Sequence, residues 1–151
     1  MTPSPTIHAS AVLVGARAVL IRGPSGAGKS RLALALIEAA QAATLRFARL
    51  VADDRVHLEP VHARLLVRPA DALRGLIEVR GFGIRQLPFE PVAVVGLVVD
   101  LQSADGERLP AAALHETDVS GIRLPRLAVA SGIEPMPMVL AALQAIPPVS
   151  H

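Results

Sequence analysis

The sequence predicts an α/β fold in which one mixed β-sheet carries two helices. Three observations predict it. Short apolar runs rich in Val, Ile and Leu recur along the chain, as is typical of buried strands. An Ala- and Leu-rich segment without Gly or Pro, residues 31–43, follows a glycine-rich turn and predicts a helix. A second helical pattern, residues 136–146, closes the chain. At 151 residues the chain is expected to form a single domain, residues 1–151.

The first half of the chain predicts a hairpin, a helix and three more strands. Two apolar runs, residues 11–14 and 17–21, are separated by Gly15-Ala16, which is a hairpin pattern, and residues 1–7 are expected to fray. The helix at residues 31–43 comes next. The later strands share an apolar, β-branched character; they are residues 48–52, which end at Asp53-Asp54, then 56–59 and 63–67.

The second half of the chain predicts strands of unequal strength and a final helix. Residues 76–79 form a short apolar run that contains Glu78, and residues 92–99 give the strongest strand pattern, ending at Asp100. A polar loop is expected at residues 102–108. Residues 122–129 are a weaker strand interrupted by Pro125. The last helix, 136–146, begins after a proline and stops at Pro147-Pro148.

Composition excludes several classes of protein. With 52% hydrophobic residues and a mean hydropathy of +0.47, the chain is not intrinsically disordered. The longest nearly unbroken apolar run, residues 91–99, is about half of the roughly 20 residues that cross a bilayer, so no membrane span is expected. The absence of cysteine excludes disulfides, zinc–thiolate sites and cysteine nucleophiles. No signal-peptide pattern is visible at the N-terminus, which predicts a cytoplasmic protein.

The charge pattern argues against nucleic-acid binding. The formal net charge is only +2, from 15 basic and 13 acidic residues, and the arginines are scattered along the chain. The sequence has no Trp or Tyr and three Phe, so it offers no aromatic platform on which single-stranded bases could stack.

The clearest motif is a phosphate-binding loop between an apolar strand and a helix. It matches G-x-x-x-x-G-K-[ST] in full, with the residues Gly23, Pro24, Ser25, Gly26, Ala27, Gly28, Lys29 and Ser30. Its amides and the helix N-terminus would surround phosphate oxygens, Lys29 would reach the β- and γ-phosphates, and Ser30 would bind Mg²⁺. Lys29 is the only lysine of the chain, which favours a ligand-binding role over a simple turn.

Phosphate-loop chemistry also needs an acidic residue, and the sequence offers three places for it. Asp100 ends an apolar strand, as the acid of a Walker B motif does. Asp53 and Asp54 end the strand that follows the first helix, and on a strand their side chains point in opposite directions, one of them toward a partner such as Arg55. Glu78 lies within an apolar strand, where a buried carboxylate would need a metal or an arginine as partner. These alternatives remain open at this level.

Four segments in a fixed order carry a family resemblance: His8, the loop at residues 23–30, Val-Ala-Asp-Asp-Arg-Val at 51–56, and Leu-Ile-Glu-Val-Arg-Gly-Phe-Gly-Ile at 76–84. Together they resemble the catalytic, C-terminal domain of HPr kinase/phosphorylase, bacterial enzymes that phosphorylate a serine of the phosphocarrier protein HPr. The resemblance covers about residues 7–108. The chain is similar to a short single-domain form of the family that is found in some proteobacteria. It implies a phosphoenolpyruvate-carboxykinase-like fold, with ATP and Mg²⁺ as cofactors.

The resemblance also implies roles for individual residues. Asp53 would be the general base, Lys29 would bind phosphate, and His8 would lie near the phosphates. Ser30 and Glu78 would be the Mg²⁺ ligands. Arg108 matches loosely a catalytic arginine, Arg80 belongs to the signature segment, and Asp100 would be structural. The expected partner is HPr or an HPr-like phosphocarrier, and the expected assembly is a homo-hexamer.

The chain also departs from the family pattern. The typical family member has a further N-terminal domain, for which 151 residues leave no room. The segment comparable with the basic loop used in dephosphorylation, residues 129–135, has no Arg or Lys, which argues against the reverse phosphorylase activity. Arg31 replaces the usual Glu after the phosphate loop. Two other functions are therefore considered: another phosphate-loop ATPase or small-molecule kinase that uses Asp100 as its Walker B acid, and a non-catalytic nucleotide sensor.

Overall fold

A computed structural model describes residues 5–104 and 114–146 of the chain. Within these residues the secondary structure elements follow one another in this order: β1 (Thr6–Val14), β2 (Arg17–Arg22), α1 (Lys29–Gln41), β3 (Ala48–Ala52), β4 (Arg55–Val61), β5 (Arg64–Pro69), a 3-10 turn (Asp71–Leu73), β6 (Leu76–Val79), β7 (Gly83–Gln86), β8 (Ala93–Leu101), β9 (His115–Val119), β10 (Ile122–Val129) and α2 (Pro135–Ala145).

Eight strands form one connected system of hydrogen-bonded neighbours. One path through it runs β3-β1-β2-β8-β10-β9, in which β2 and β10 lie parallel to β8 and the other neighbours are antiparallel. A second, antiparallel path runs from the start of β1 through β4 and β5 to the start of β8. Strands β1 and β8 therefore belong to both paths. Strands β6 and β7 form a separate two-stranded hairpin.

The apolar residues of the central strands alternate between two hydrophobic clusters. On β2, Val19 and Ile21 belong to the cluster that also contains residues of α1 and α2, whereas Ala18 and Leu20 belong to the cluster that includes β4 and β5. This alternation is what a strand buried on both faces requires. The central strands are therefore covered by the helices on one side and by the second antiparallel path on the other.

The predicted α/β class with a mixed sheet is confirmed, and most elements lie where the sequence places them. The first hairpin, the helix after the phosphate loop, the strands β3 to β6 and β8, and the last helix are all present, with ends shifted by a few residues. Such shifts are usual, because helix and strand ends depend on tertiary contacts. The local pattern of apolar residues was thus enough to identify these elements.

Three details of the sequence prediction were wrong. Thr6 and Ile7 do not fray, because they pair with His57 and Val56 on β4. Strand β10 is not broken at Pro125; its pairing with β8 begins at Arg126, so the missing amide hydrogen of the proline lies outside that ladder. Strands β7 and β9 were not predicted, since β7 is wholly exposed and β9 is a polar edge strand without an apolar run.

No helix among residues 5–104 and 114–146 is long and apolar enough to cross a membrane.

Candidate active site

The glycine-rich loop connects the end of β2 to the start of α1, next to the parallel strand β8. Gly26 and Gly28 adopt φ angles of 82° and 99°, a left-handed backbone conformation that residues other than glycine seldom adopt. A Cβ atom on Gly23 would lie 3.2 Å from the Leu101 carbonyl oxygen. Glycine at these positions therefore keeps the turn compact. The first amides of α1, which starts at Lys29, lack partners within the helix and are suited to bind an anion.

The Lys29 side chain folds back over this loop. Its ammonium nitrogen donates hydrogen bonds to the Gly23 carbonyl oxygen at 2.8 Å and to the Pro24 carbonyl oxygen at 3.1 Å. The charge is thus placed above the same turn whose amides are suited to bind phosphate. A nucleotide phosphate seated in the loop would lie beside this ammonium group.

Asp53 is the centre of a buried polar cluster behind the loop. Its side chain is almost entirely buried, and the residue is only 4% exposed. The Ser30 hydroxyl lies 2.7 and 2.8 Å from its two carboxylate oxygens, and the Ser10 hydroxyl donates to Oδ1 at 2.7 Å. The backbone amide of Glu78 donates to Oδ2 at 3.1 Å. Donors from β1, α1 and β6 thus meet at the carboxylate that ends β3, which is the arrangement that a buried charge requires.

Glu78 lies beside this cluster through its backbone, with its side chain exposed. The expectation that its carboxylate is buried in an apolar strand is wrong, because β6 belongs to a hairpin whose inward residue is Ile77. No group of three acidic, histidine or cysteine residues suited to a metal occurs among the described residues. The Ser30 hydroxyl and the Glu78 carboxylate are hard oxygen donors, which is the type of ligand that Mg²⁺ takes.

His8 and Asp54 form a more exposed pair at the edge of the cluster. The His8 Nδ1 atom lies 3.8 Å from the Asp54 Oδ1 atom, and the two side chains are 63% and 65% exposed. His8 and Ser10 are two residues apart on β1, so their side chains leave the same face of the strand. The structure thus pairs Asp54 with His8, where the sequence suggested Arg55. Arg108, the remaining candidate, lies outside the described residues.

Asp100 belongs to a separate network of arginines. Arg22 donates to both of its carboxylate oxygens, at 2.7 and 2.9 Å, and the Nε atom of Arg126 donates to Oδ2 at 2.5 Å. Burial raises the pKa of the Asp100 carboxyl group, but the hydrogen bonds and positive charges of Arg22 and Arg126 outweigh it and hold the pKa below its ordinary value. The carboxylate is therefore bound by the guanidinium groups of two arginines. One of these arginines, Arg22, directly precedes the phosphate loop in the sequence.

The lowered pKa of Asp100 predicts a loss of stability in acid. Because the carboxyl group binds a proton less readily in the folded than in the unfolded chain, its contribution is present above the ordinary pKa of 3.8 and declines as the pH falls below that value. We expect the difference in free energy of unfolding between the unsubstituted protein and Asp100→Asn to shrink over this interval. Urea unfolding at a series of pH values measures it. A difference independent of pH would contradict this assignment.

Ser10 is a member of the Asp53 cluster that motif analysis missed. It is fully buried, it donates to Asp53, and its oxygen lies 3.4 Å from the Asp54 amide. The available signal was a hydroxyl residue directly before the apolar run at residues 11–14 and two residues after His8. No known motif includes this position, so the sequence alone did not indicate a role for Ser10. Its contact with Asp53 becomes evident only from the pairing of β1 with β3.

Removal of the Ser10 hydroxyl is expected to destabilise the protein. Ser10→Ala leaves the buried carboxylate with one donor fewer, which should lower the free energy of unfolding by about 1–3 kcal/mol. Chemical denaturation measures the change. The matched control is Ser131→Ala, at an exposed position, which should change it by less than about 0.5 kcal/mol. Equal effects of the two substitutions would show that the Ser10–Asp53 hydrogen bond adds nothing.

The fold and this cluster define a class of protein: an α/β domain that carries a phosphate-loop motif beside a buried aspartate. A family model described as "HPr Serine kinase C-terminal domain" matches residues 1–90. The chain belongs to this family, which confirms the resemblance seen in the sequence.

Relatives and a solved structure agree with this assignment. The chain is 33% identical over 142 residues to an HPr kinase/phosphorylase of Caldicellulosiruptor bescii, an alignment that covers 85% of this chain and 43% of the relative. It is 41% identical over 85 residues to that of Peptoclostridium acidaminophilum, covering 56% and 25%. The chain therefore spans less than half the length of these curated relatives. The structure of the HPr(Ser) kinase/phosphatase from Coxiella burnetii matches with a TM-score of 0.73 and 25% identity, covering 94% of this chain and 95% of that one.

Proposed function

We propose that this protein is a Mg-ATP-dependent serine kinase that phosphorylates HPr or an HPr-like phosphocarrier protein. One observation carries the proposal: the phosphate-loop serine, Ser30, is hydrogen-bonded directly to the buried Asp53. This contact joins a nucleotide-binding element to a carboxylate in the place where a phosphate acceptor would have to lose its proton.

The phosphates would be bound by the loop and by Lys29. The free amides at the start of α1 and the ammonium group both favour negative charge at this end of the helix. Ser30 and Glu78 would hold Mg²⁺. When bound, this ion would neutralise part of the phosphate charge. These residues fix the position of the terminal phosphate with respect to Asp53.

Asp53 would act as the general base. A carboxylate offers about four lone-pair positions, and the donors from Ser10, Ser30 and the Glu78 amide fill three of them. One position remains to accept the proton of the substrate serine. As the serine oxygen bonds to the γ-phosphorus atom, the bond from that phosphorus to the oxygen bridging to the β-phosphate breaks, ADP leaves, and the proton moves to Asp53.

Further parts of the proposal concern the edge of the site and the assembly. His8, held near Asp54 on the face of β1 that also bears Ser10, is proposed to contact the phosphates, and Arg108 is proposed to assist transfer. We propose a cytoplasmic homo-hexamer on the strength of the family. Because residues 129–135 have no Arg or Lys, we propose transfer in the kinase direction only.

The alternative with Asp100 as a Walker B acid is less well supported. The Asp100 carboxylate is already bound by Arg22 and Arg126, whereas a Walker B acid supports the metal beside the phosphate-loop serine. In this structure the carboxylate in contact with Ser30 is that of Asp53. No observation favours the non-catalytic sensor.

A phosphate-transfer assay tests the proposal. Purified protein is mixed with Mg²⁺, ATP labelled at the γ-phosphate, and HPr from the same organism, and the labelled residue is identified by mass spectrometry. We expect label on one serine of HPr, and none with Lys29→Ala. If ATP binds but HPr stays unlabelled, the kinase proposal is wrong.

A further inference from the structure

Ser10 contacts Asp53 but has no part in the proposed binding of phosphate or metal. Its side chain is fully buried on β1, and its hydroxyl donates to the Asp53 Oδ1 atom at 2.7 Å. Serine is mostly exposed in folded proteins, and a buried hydroxyl normally has a hydrogen-bond partner. Here the partner is a carboxylate, and a hydrogen bond to a charged acceptor is stronger than one between neutral groups. Ser10 therefore holds one of the two carboxylate oxygens of Asp53.

The two carboxylate oxygens of Asp53 have different surroundings. Oδ1 faces Ser10, which is 0% exposed, so the interior of the protein closes off that side. Oδ2 accepts the backbone amide of Glu78 at 3.1 Å, and the side chain of that glutamate is exposed. The Ser30 hydroxyl carries a single proton and lies 2.7 Å from Oδ1 and 2.8 Å from Oδ2, so it favours neither oxygen. Oδ2 is therefore the oxygen on the side that a substrate hydroxyl can reach.

The backbone that follows Asp53 is held by β1 as well. Asp54 adopts a φ angle of 74°, which is uncommon for a residue with a side chain, and the Arg55 amide donates to the Asp53 carbonyl oxygen at 2.9 Å. Strand β1 contacts this turn twice: the Ala9 amide donates to the Asp54 carbonyl oxygen at 3.1 Å, and the Asp54 amide donates to the Ser10 hydroxyl oxygen at 3.4 Å. Backbone in such a conformation persists where the surrounding structure holds it, and it clusters at active sites. Ser10 thus contacts both the carboxylate of Asp53 and the peptide group that follows it.

We propose that Ser10 is a positioning residue: its hydroxyl holds the Asp53 carboxylate through Oδ1, so that Oδ2 faces the phosphate acceptor and takes its proton. The inference rests on the proposed kinase function and adds to it the atom that acts as base and the residue that orients it. The proton of the acceptor hydroxyl moves to Oδ2 as the acceptor oxygen bonds to the γ-phosphorus atom and ADP leaves. Without the Ser10 hydroxyl, only Ser30 still contacts Oδ1. The carboxylate is then less firmly oriented, and a loss of orientation slows the reaction.

The kinetics of Ser10→Ala test the proposal. The kcat and the KM for ATP are measured from the transfer of labelled phosphate to HPr, with circular dichroism to show that each protein is folded. Ser10→Cys is a second variant, which nearly keeps the volume of serine but donates only weakly, and it carries the same test if Ser10→Ala does not fold. The matched control is Val67→Ala, at a fully buried position on β5 outside the Asp53 cluster, which loses apolar packing but no hydrogen bond. The double variant of Ser10→Ala with Asp53→Asn completes the set.

The outcomes separate a positioning role from a merely structural one. We expect Ser10→Ala to lower kcat by about tenfold with the KM for ATP within about twofold, while Val67→Ala keeps its kcat. Because Ser10 acts through Asp53, Ser10→Ala should slow the Asp53→Asn protein little further. An undiminished kcat in Ser10→Ala, or an equal loss in Val67→Ala, overturns the inference and leaves the kinase proposal standing. The same tenfold loss, about, on the Asp53→Asn background also overturns it. If the unsubstituted protein leaves HPr unlabelled, the kinase proposal is wrong, and the inference falls with it.

Discussion

Asp53→Asn is expected to slow phosphate transfer to HPr by about a hundredfold or more, with ATP binding little changed. Asn has nearly the shape of Asp, and its amide oxygen can still accept the Glu78 amide hydrogen bond, so the cluster should remain assembled. What is lost is the group that takes the proton from the acceptor serine. The measurements are initial rates of label transfer and calorimetric titration with ATP.

The outcome separates the three functions considered for the site. An exposed acidic residue, Asp71, provides the matched control, and Asp71→Asn should leave the rate unchanged. If Asp53→Asn transfers phosphate at the normal rate, Asp53 is not the base. A loss of turnover confined to Asp100→Asn would favour the Walker B alternative. Absence of turnover in every protein, with ATP bound, would favour the nucleotide sensor.

Asp100→Asn is expected to lower the free energy of unfolding by about 2–3 kcal/mol, between the values typical of exposed and of fully buried ion pairs. The substitution removes the carboxylate that accepts hydrogen bonds from Arg22 and Arg126 in a partly buried position, where the loss of an ion pair is more costly than at the surface. The folded protein should still bind ATP, because Arg22, Asp100 and Arg126 all lie outside the phosphate loop at residues 23–30. Thermal or urea unfolding measures the first effect, and calorimetry measures the second.

An exposed ion pair provides the comparison for Asp100. Glu59 lies 3.5 Å from Arg68, with both side chains about half exposed, so Glu59→Gln should change the free energy of unfolding by less than about 1 kcal/mol. If the two substitutions have equal effects, the Asp100 network is no more than a surface ion pair. A loss of ATP binding without a loss of stability in Asp100→Asn would place Asp100 in the nucleotide site.

The elements of the site that sequence analysis found are those whose signal is local. The phosphate loop is a run of eight residues, and Asp53 directly follows an apolar strand, so both could be identified without knowledge of the fold. The exposure of Glu78 depended on a hairpin partner, β7, which has no apolar residues facing inward and gave no pattern. The sequence thus identified the candidate residues more reliably than it predicted whether their side chains are buried or exposed.

The contacts that were missed join residues far apart in the sequence. Ser10 and Asp53 are 43 residues apart, and Arg22 and Asp100 are 78 residues apart. With the arginines scattered along the chain, nothing in the sequence indicates which of them reaches Asp100. Such pairs become visible only when the order of the strands is known, because β1 beside β3 and β2 beside β8 bring them together.

The single lysine of the chain allows the phosphate loop to be modified selectively by reagents that react with amines. Lys29 is the only side-chain amine, and its ammonium group is held against two carbonyl oxygens of the phosphate loop. An acylating reagent would therefore have one side-chain target besides the N-terminal amine. A ligand seated in the loop would shield that target, so the extent of modification would report how much of the loop is occupied, without any engineered label.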